Sequence, residues 1–379
     1  MLGAFKKAPG LRGCAISLPF KRASYNVSGK RPLATRSKED RDARLALLRQ
    51  IYKPFSLLDK GSPEYIELAK SGKVWEDHFQ PYDSERMGYK TLQEENKNML
   101  AEIDTLKELM KPQVPELARA LVAEYAHQSV AIENNPLKIG DTVAIFDLLN
   151  KKLFSHVDMA SVAAEDLTKL DLPQFNSDHD VSVVNELKNH IVASQWIAET
   201  AAGQQGTSGI NEAEMRQLAA MTIKGTQSEA VYNLAWGGSV PLGGYRKLPI
   251  VVKNNPLTIF PYPAEVPACV KRFFNWRDSQ HHKKEIHPLI LACQMTAYFV
   301  QIHPFPDGNG RISRMLMHDY MVRQGYLPVV MQDLDRQDYL RMMGDADKGN
   351  PDELVTTVLS TQLDELNTFY WRQLAKGRS

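Results

Sequence analysis

The residues best suited to chemistry crowd into one stretch, His303-Pro304-Phe305-Pro306-Asp307-Gly308-Asn309-Gly310-Arg311-Ile312-Ser313-Arg314. His303 carries an imidazole whose unperturbed pKa near ~6.5 lets it accept a hydroxyl proton at neutral pH. Asp307 is an oxygen ligand suited to Mg²⁺, which commonly binds one or two carboxylates plus substrate phosphates. Gly308 and Gly310 open backbone conformations closed to other residues and let a ligand come close. A helix starting behind them offers an anion its unpaired N–H groups and positive dipole end. Arg311 and Arg314, three apart on that helix, can serve one polyphosphate, and guanidinium groups match phosphate oxygens in bidentate fashion. The implied ligand is a nucleotide.

Each residue alone has a duller explanation. A histidine at a helix end is more often structural, Gly-Asn-Gly is usually a turn, and two arginines are usually a solvated face. Their order within one short segment is different: it matches the Fic motif, HxFx(D/E)GNGRxxR, at every defined position. The chain resembles Fic-domain proteins from approximately Ala118 to Thr357. That resemblance implies a mainly α enzyme with a small β-hairpin flap, moving AMP from ATP to a Ser, Thr or Tyr hydroxyl of a target protein. It implies His303 as general base and Asp307 as the Mg²⁺ ligand. Gly308, Asn309 and Gly310 would form the anion nest, with Arg311, Ile312, Ser313 and Arg314 completing the nucleotide contacts and Arg314 on the γ-phosphate. The related Doc kinases depart from the GNGR core, which is intact here and favours nucleotidyl over phosphate transfer.

Upstream, Ser129-Val130-Ala131-Ile132-Glu133-Asn134 resembles the Fic inhibitory motif (S/T)xxxE(G/N); the plain alternative is a helix C-terminus capped by Asn134. The resemblance implies that Glu133 pairs with Arg314 and tilts ATP out of line. Relatives of this type also remove AMP, with the same glutamate orienting water. Gly244, Tyr245, Arg246 and Lys247, continuing through Asn255, resemble the flap that docks the target by strand pairing, with Val252, Lys253, Asn254 and Asn255 near the adenosine. Arg336-Gln337-Asp338-Tyr339 resembles the RxxYY stretch whose aromatics contact adenine. Leu340 replaces the second tyrosine, and Asp347 stands where related proteins often carry Asn.

The elements that must position these residues read as helices. One is expected from Ser37, with Leu45, Leu47, Leu48 and Ile51 on one face; another over Thr91–Met110 carries Leu92, Met99, Ile103, Leu106 and Leu109 as its stripe. Pro115 suits the first turn of the helix leading to Ser129–Asn134. Further helices are expected near 139–153, 181–202 and 211–223, with 202–209 a loop. Gly, Pro and β-branched residues between Trp236 and Pro263 suggest a hairpin with Pro249-Ile250-Val251-Val252 as a strand. Helices resume near Ala264, one from Pro288 to Phe299 should be buried, and Ile312–Gln324 should end at Gly325. The five tryptophans suit core packing better than a cofactor box, and His281 and His282 read as a solvated loop.

Across 379 residues, 46 Lys+Arg against 45 Asp+Glu give a formal charge of +1, which shows no pull towards nucleic acid. The balance hides an asymmetry. Residues 1–38 hold nine basic and no acidic side chains, leaving 37 basic against 45 acidic to the rest. A basic, acid-free start fits an organelle transit peptide, here read as mitochondrial; the alternatives are a disordered basic tail on a cytoplasmic protein and a weak nuclear or RNA-contacting arm. Residues 39–114 form a helical extension and 115–379 the Fic domain. No run reaches the ~18–20 apolar residues of a membrane span, and Cys14, Cys269 and Cys293 form no disulfide framework or thiolate metal site. A homodimer and self-modification accord with the resemblance. Rival readings are another donor such as UTP or GTP, a chain acting mainly in AMP removal, and a non-enzymatic nucleotide-sensing interaction protein.

Overall fold

The computed structural model describes residues 38–233, 238–251, 257–331 and 334–376. The basic stretch 1–37, Cys14 and Trp236 lie outside the described residues, as do Val252, Lys253, Asn254 and Asn255. Local sequence explains where the helices begin and end. In α1 (Lys38–Ile51), Leu47, Leu48 and Ile51 face inward while Leu45 stays exposed. In α2 (Pro63–Ser71), the Ser62 hydroxyl accepts the Tyr65 N–H at 3.1 Å and Pro63 opens the first turn. The helix stops at Gly72, whose φ of 69° most side chains resist, and α3 (Lys73–Phe79) starts there.

The helix expected over 91–110 is two, α4 (Tyr89–Glu95) and α5 (Lys97–Met110). Asn96 breaks them by turning its side-chain amide onto the Leu92 carbonyl. The break shifts the buried stripe to Leu92, Leu100, Ile103, Leu106 and Met110, and leaves Leu109 exposed. Next come α6 (Val114–Ala120), α7 (Val122–Ala131) and α8 (Ile139–Leu149), whose last turn widens into a π-helical one. The long α9 (Val181–Gly203) is buried on nearly every side and packs against α7, α10 (Glu212–Ile223) and α14 (Asn309–Arg323). A short α11 (Glu229–Tyr232) and α12 (Val266–Lys283) precede the two helices that flank the motif.

Those two are α13 (Pro288–Ile302) and α14 (Asn309–Arg323), which pack along each other more extensively than any other pair. In α13, Leu289, Ile290, Leu291, Phe299 and Ile302 are fully buried; burying each such side chain contributes about 1.5–3 kcal/mol. Gly325 ends α14 in a left-handed conformation, as its sequence position predicts. The helix starts three residues earlier than expected because Gly308, at φ 87°, already turns the chain into it. Two more helices, α15 (Arg336–Ala346) and α16 (Asp352–Lys376), close the molecule.

The fold is mainly α. Among the described residues no strand forms, and 243–251 runs as turns and irregular backbone. The hairpin expectation fails there for a local reason. Pro249 offers no N–H to a ladder, and the Arg246 side chain ties the segment to the 302–304 turn instead. Trp75 and Trp196 are core residues, but Trp371 is 64% exposed on α16. His281 and His282 lie in the last turn of α12 rather than in a loop.

Residues 39–114 are knitted to α12 and α13. Trp75 Nε1 donates to the Ile259 carbonyl at 2.8 Å, Ser84 to Gln294 of α13 at 2.7 Å, and the buried Glu76 carboxylate meets Arg272 and Tyr298. One apolar core runs from Ile51 to Leu366.

Candidate active site

His303 ends α13 with φ 50° and ψ 59°, a left-handed conformation uncommon for a residue with a Cβ. Strain of this kind costs of order 1–3 kcal/mol and persists where the surroundings enforce it. Two contacts enforce it here. Arg246 Nε donates to the His303 carbonyl at 2.7 Å, and the Phe260 ring lies 4.6 Å from the imidazole, centre to centre. Imidazole Nδ1 lies 3.2 Å from the Val300 carbonyl. A carbonyl only accepts, so Nδ1 carries the proton and Nε2 keeps its lone pair. Burial, helped by the Arg246 charge, pushes the imidazole pKa down to about 4, which keeps it neutral at physiological pH.

The turn after His303 is locked by Asn309, whose Oδ1 accepts the Phe305 N–H and whose Nδ2 donates to the Phe305 carbonyl, both at 2.9 Å. Asp307 stands at the rim, its side chain 46% exposed, with Oδ1 accepting the Gly308 N–H at 2.7 Å and Oδ2 3.8 Å from Arg311. The Tyr232 hydroxyl donates to its carbonyl. A single rim carboxylate fits Mg²⁺, which takes most of its remaining ligands from substrate phosphates and water. Among the described residues no group of three or more His, Cys, Asp or Glu could hold a metal without such help.

Arg311 and Arg314 are both buried, and each already has a carboxylate. Arg311 pairs with Glu186 of α9 at 2.6 Å, and Glu186 in turn accepts Asn135 Nδ2 at 2.9 Å. Arg314 donates to the Ser129 hydroxyl and carbonyl at 2.8 Å each, and to Glu133 Oε1 at 2.9 Å. Glu133 Oε2 meets Arg336 Nη1 at 2.5 Å. Burial alone would raise the Glu133 pKa, but Arg314, Arg311 and Arg336 overcome it and hold the group at about 2. Gly310 makes this approach physically open: a Cβ there would stand 2.8 Å from Glu133 Oε1 and 3.2 Å from Arg314 Nη1. Arg311 Nε and Arg314 Nη1 remain buried with no partner.

Residues 209–321 match the family model described as Fic/DOC family. The chain carries a Fic domain. Protein adenylyltransferase Fic of Drosophila virilis is 32% identical over 111 residues, 29% of this chain and 23% of that protein. The Drosophila melanogaster protein of the same name is 31% identical over 129 residues, 34% of this chain and 25% of its own length. The chain thus spans about a quarter of the length of the curated relatives it matches. Two solved structures share the fold. Fic-1 (aa134–508) from C. elegans has a TM-score of 0.55 at 16% identity, covering 88% of this chain and 99% of that one. A Fic domain containing signaling protein from Bacteroides thetaiotaomicron has 0.52 at 20%, covering 72% and 93%.

The remaining expected residues fall in different places. The side chains of Ile312 and Ser313 point into the core, with Ser313 Oγ donating to the Gly310 carbonyl, so only their backbone could reach a nucleotide. Asn134 takes φ 66° and ends the turn that follows α7. Tyr339 is buried with its ring 4.9 Å from the Arg314 guanidinium. Of the four described flap residues, Gly244 and Arg246 are buried, Tyr245 donates to Glu212 at 2.8 Å, and Lys247 is exposed. Arg246, expected on the docking flap, is instead a brace: it reaches the carbonyls of His303 and Pro261 and is 4% exposed.

Sequence reading missed Glu186, Phe260 and the pairing of Arg336 with Glu133. Arg336 lies in a quoted motif, but nothing local says that a residue 203 positions upstream is its partner.

Proposed function

We propose that this chain transfers AMP from ATP to a Ser, Thr or Tyr hydroxyl of a protein and that Glu133 restrains it. The observation that carries the reading is the Glu133–Arg314 pair beside a neutral His303 on one elbow. His303 Nε2 would take the proton of the attacking hydroxyl, whose oxygen bonds the α-phosphorus as pyrophosphate leaves. Asp307 would hold Mg²⁺, which neutralises charge on the phosphates. Arg311 Nε and Arg314 Nη1 supply donors, and the exposed Lys247 and Leu248 would meet a target segment by side-chain contact. While Glu133 occupies Arg314, the terminal phosphate lacks its guanidinium and the α-phosphorus is not presented in line.

A second reading concerns hydrolysis of the modified hydroxyl, in which water attacks the α-phosphorus, AMP is released and the protein hydroxyl is restored. Glu133 is kept ionised between two arginines, so it can accept a hydrogen bond from water at the same elbow and favour hydrolytic removal of AMP.

The test is incubation of wild type, Glu133→Gly and Glu133→Gly/His303→Ala with Mg²⁺ and ATP labelled at the α-phosphate or, in parallel, at the γ-phosphate. Label should enter protein strongly with Glu133→Gly and vanish with the double variant. Label arriving from the γ-phosphate, or none at all, refutes the reading.

A further inference from the structure

His303 keeps its left-handed conformation because two groups press on it, the Phe260 ring and the Arg246 guanidinium. Both groups lean on one turn. Phe260 belongs to it, and the neighbouring Pro261 carbonyl accepts Arg246 Nη2 at 2.6 Å. The other side-chain contacts of Arg246, to the Leu248 and Ile302 carbonyls, are longer at 3.4 and 3.5 Å, so the Pro261 and His303 carbonyls hold it most closely. Whatever fixes residues 259–265 therefore fixes the histidine.

Two side chains do so. The N–H of the buried Glu265 donates to the Tyr262 carbonyl and its Oε2 accepts the Tyr262 N–H, both at 2.8 Å, which closes the turn from both sides. The same Oε2 accepts the Tyr52 hydroxyl at 2.8 Å, and the Tyr52 ring lies 4.6 Å from the Tyr262 ring, centre to centre. Burial beside Glu265 pushes the Tyr52 pKa up, so the hydroxyl keeps the proton it donates. Tyr52 directly follows α1, and Arg44 of α1 donates to the Thr258 carbonyl at 2.7 Å. Both lie far outside residues 209–321, which match the family model.

We propose that Glu265 and Tyr52 are positioning residues for His303: they hold the turn whose Phe260 ring and Pro261 carbonyl keep the imidazole and Arg246 in place. Each acts through the turn, not on the reacting atoms. The inference rests on the nucleotidyl-transfer reading and gives residues 39–114 a part in it.

Losing this hold has a signature that lost stability alone does not have. The charged groups acting on His303 are Arg246 from the 243–251 segment, Asp307 from its own turn and Glu133 from the turn after α7. Burial and Arg246 keep the imidazole pKa at about 4, against the pull of the two carboxylates. When Phe260 and Arg246 draw back, water reaches the ring, the positive charge is farther away, and the pKa rises towards its ordinary ~6.5. A protonated imidazole cannot accept the hydroxyl proton, so the acid limb of transfer moves up with it.

The experiment places Tyr52→Phe, Glu265→Ala and Glu265→Gln in the Glu133→Gly chain and reads the His303 imidazole pKa by NMR titration without nucleotide, then the pH profile of AMP transfer at saturating MgATP. Glu265→Ala should lower the maximal rate about a hundredfold, the scale of a misplaced catalytic group, with the half-saturating MgATP concentration unchanged and the imidazole pKa raised towards ~6.5. Tyr52→Phe keeps the ring and removes one hydroxyl; it should act in the same direction, by about tenfold in rate, and it carries the test if Glu265→Ala does not fold. Glu265→Gln keeps an acceptor oxygen for both donors and should restore rate and pKa. An imidazole pKa fixed near 4 in Tyr52→Phe and Glu265→Ala, a maximal rate equal to that of the Glu133→Gly chain, or a Glu265→Gln as impaired as Glu265→Ala overturns the positioning inference. Absence of AMP transfer from Glu133→Gly itself, with the pKa moving as described, overturns the transfer reading beneath it and leaves the hold on the histidine standing.

Discussion

Two regions near the elbow are finished to different degrees. On the proposed phosphate side, Arg311 and Arg314 already hold carboxylates from Glu186 and Glu133, so the chain itself occupies groups that a triphosphate would use. Beside a cavity walled by Trp75 and Phe79, Gln301 Oε1 and Asp347 Oδ1 are buried without any partner. The contrast teaches where restraint can act. In the proposed function the phosphates of the donor would have to be arranged around Glu133. On the proposed reading, inhibition would change the alignment of a bound donor more than its affinity, which is the distinction between ground-state and transition-state binding.

The comparison breaks most sharply at His303. In the Glu133→Gly background, His303→Ala should cut AMP transfer about a thousandfold, the scale of a lost general base, with MgATP affinity within a few-fold by calorimetry. Because the imidazole is neutral down to about pH 4, transfer by Glu133→Gly should show no acid limb near pH 6.5 and should fall only as pH drops towards 4. Next in size, Glu133→Gly itself should raise transfer about a hundredfold, comparable to restoring one charge-stabilising donor.

Arg336→Ala sharpens the picture further down the scale. With its guanidinium 38% exposed, the Arg336–Glu133 pair contributes up to about 1 kcal/mol. Transfer by the otherwise unaltered chain should therefore rise only a few-fold. The smallest effect concerns stability at Asp347. Asp347 binds its proton more tightly in the folded chain, so it costs stability as pH rises from the usual carboxylate range through about 8. Asp347→Asn should raise the melting temperature by a few degrees at pH 9 and leave it unchanged at pH 3, read by thermal denaturation.

The elbow was legible because its chemistry is consecutive. His303, Asp307, Gly308 and the two arginines sit within one turn and the start of one helix, so residue order alone carried their arrangement. Helix boundaries were readable where a cap or glycine marks them, as at Ser62, Gly72 and Gly325. Long-range pairings were not. Glu186 finds Arg311 across 125 positions and Trp75 finds Ile259 across 184, and neither partner carries a local signature. The hairpin was misread because β-branched composition near 250 suggests a strand while Pro249 and the Arg246 brace work against one. Asp347 was noticed only as a departure from an expected asparagine. Its burial without a partner exists only in three dimensions.

The most direct measurement is the rate of AMP incorporation at saturating MgATP, followed by intact-protein mass spectrometry for wild type and Glu133→Gly side by side. The account predicts adduct accumulating about a hundredfold faster with the variant, with half-saturating ATP concentrations within a few-fold of each other. Equal rates, or no adduct from either chain, would contradict it.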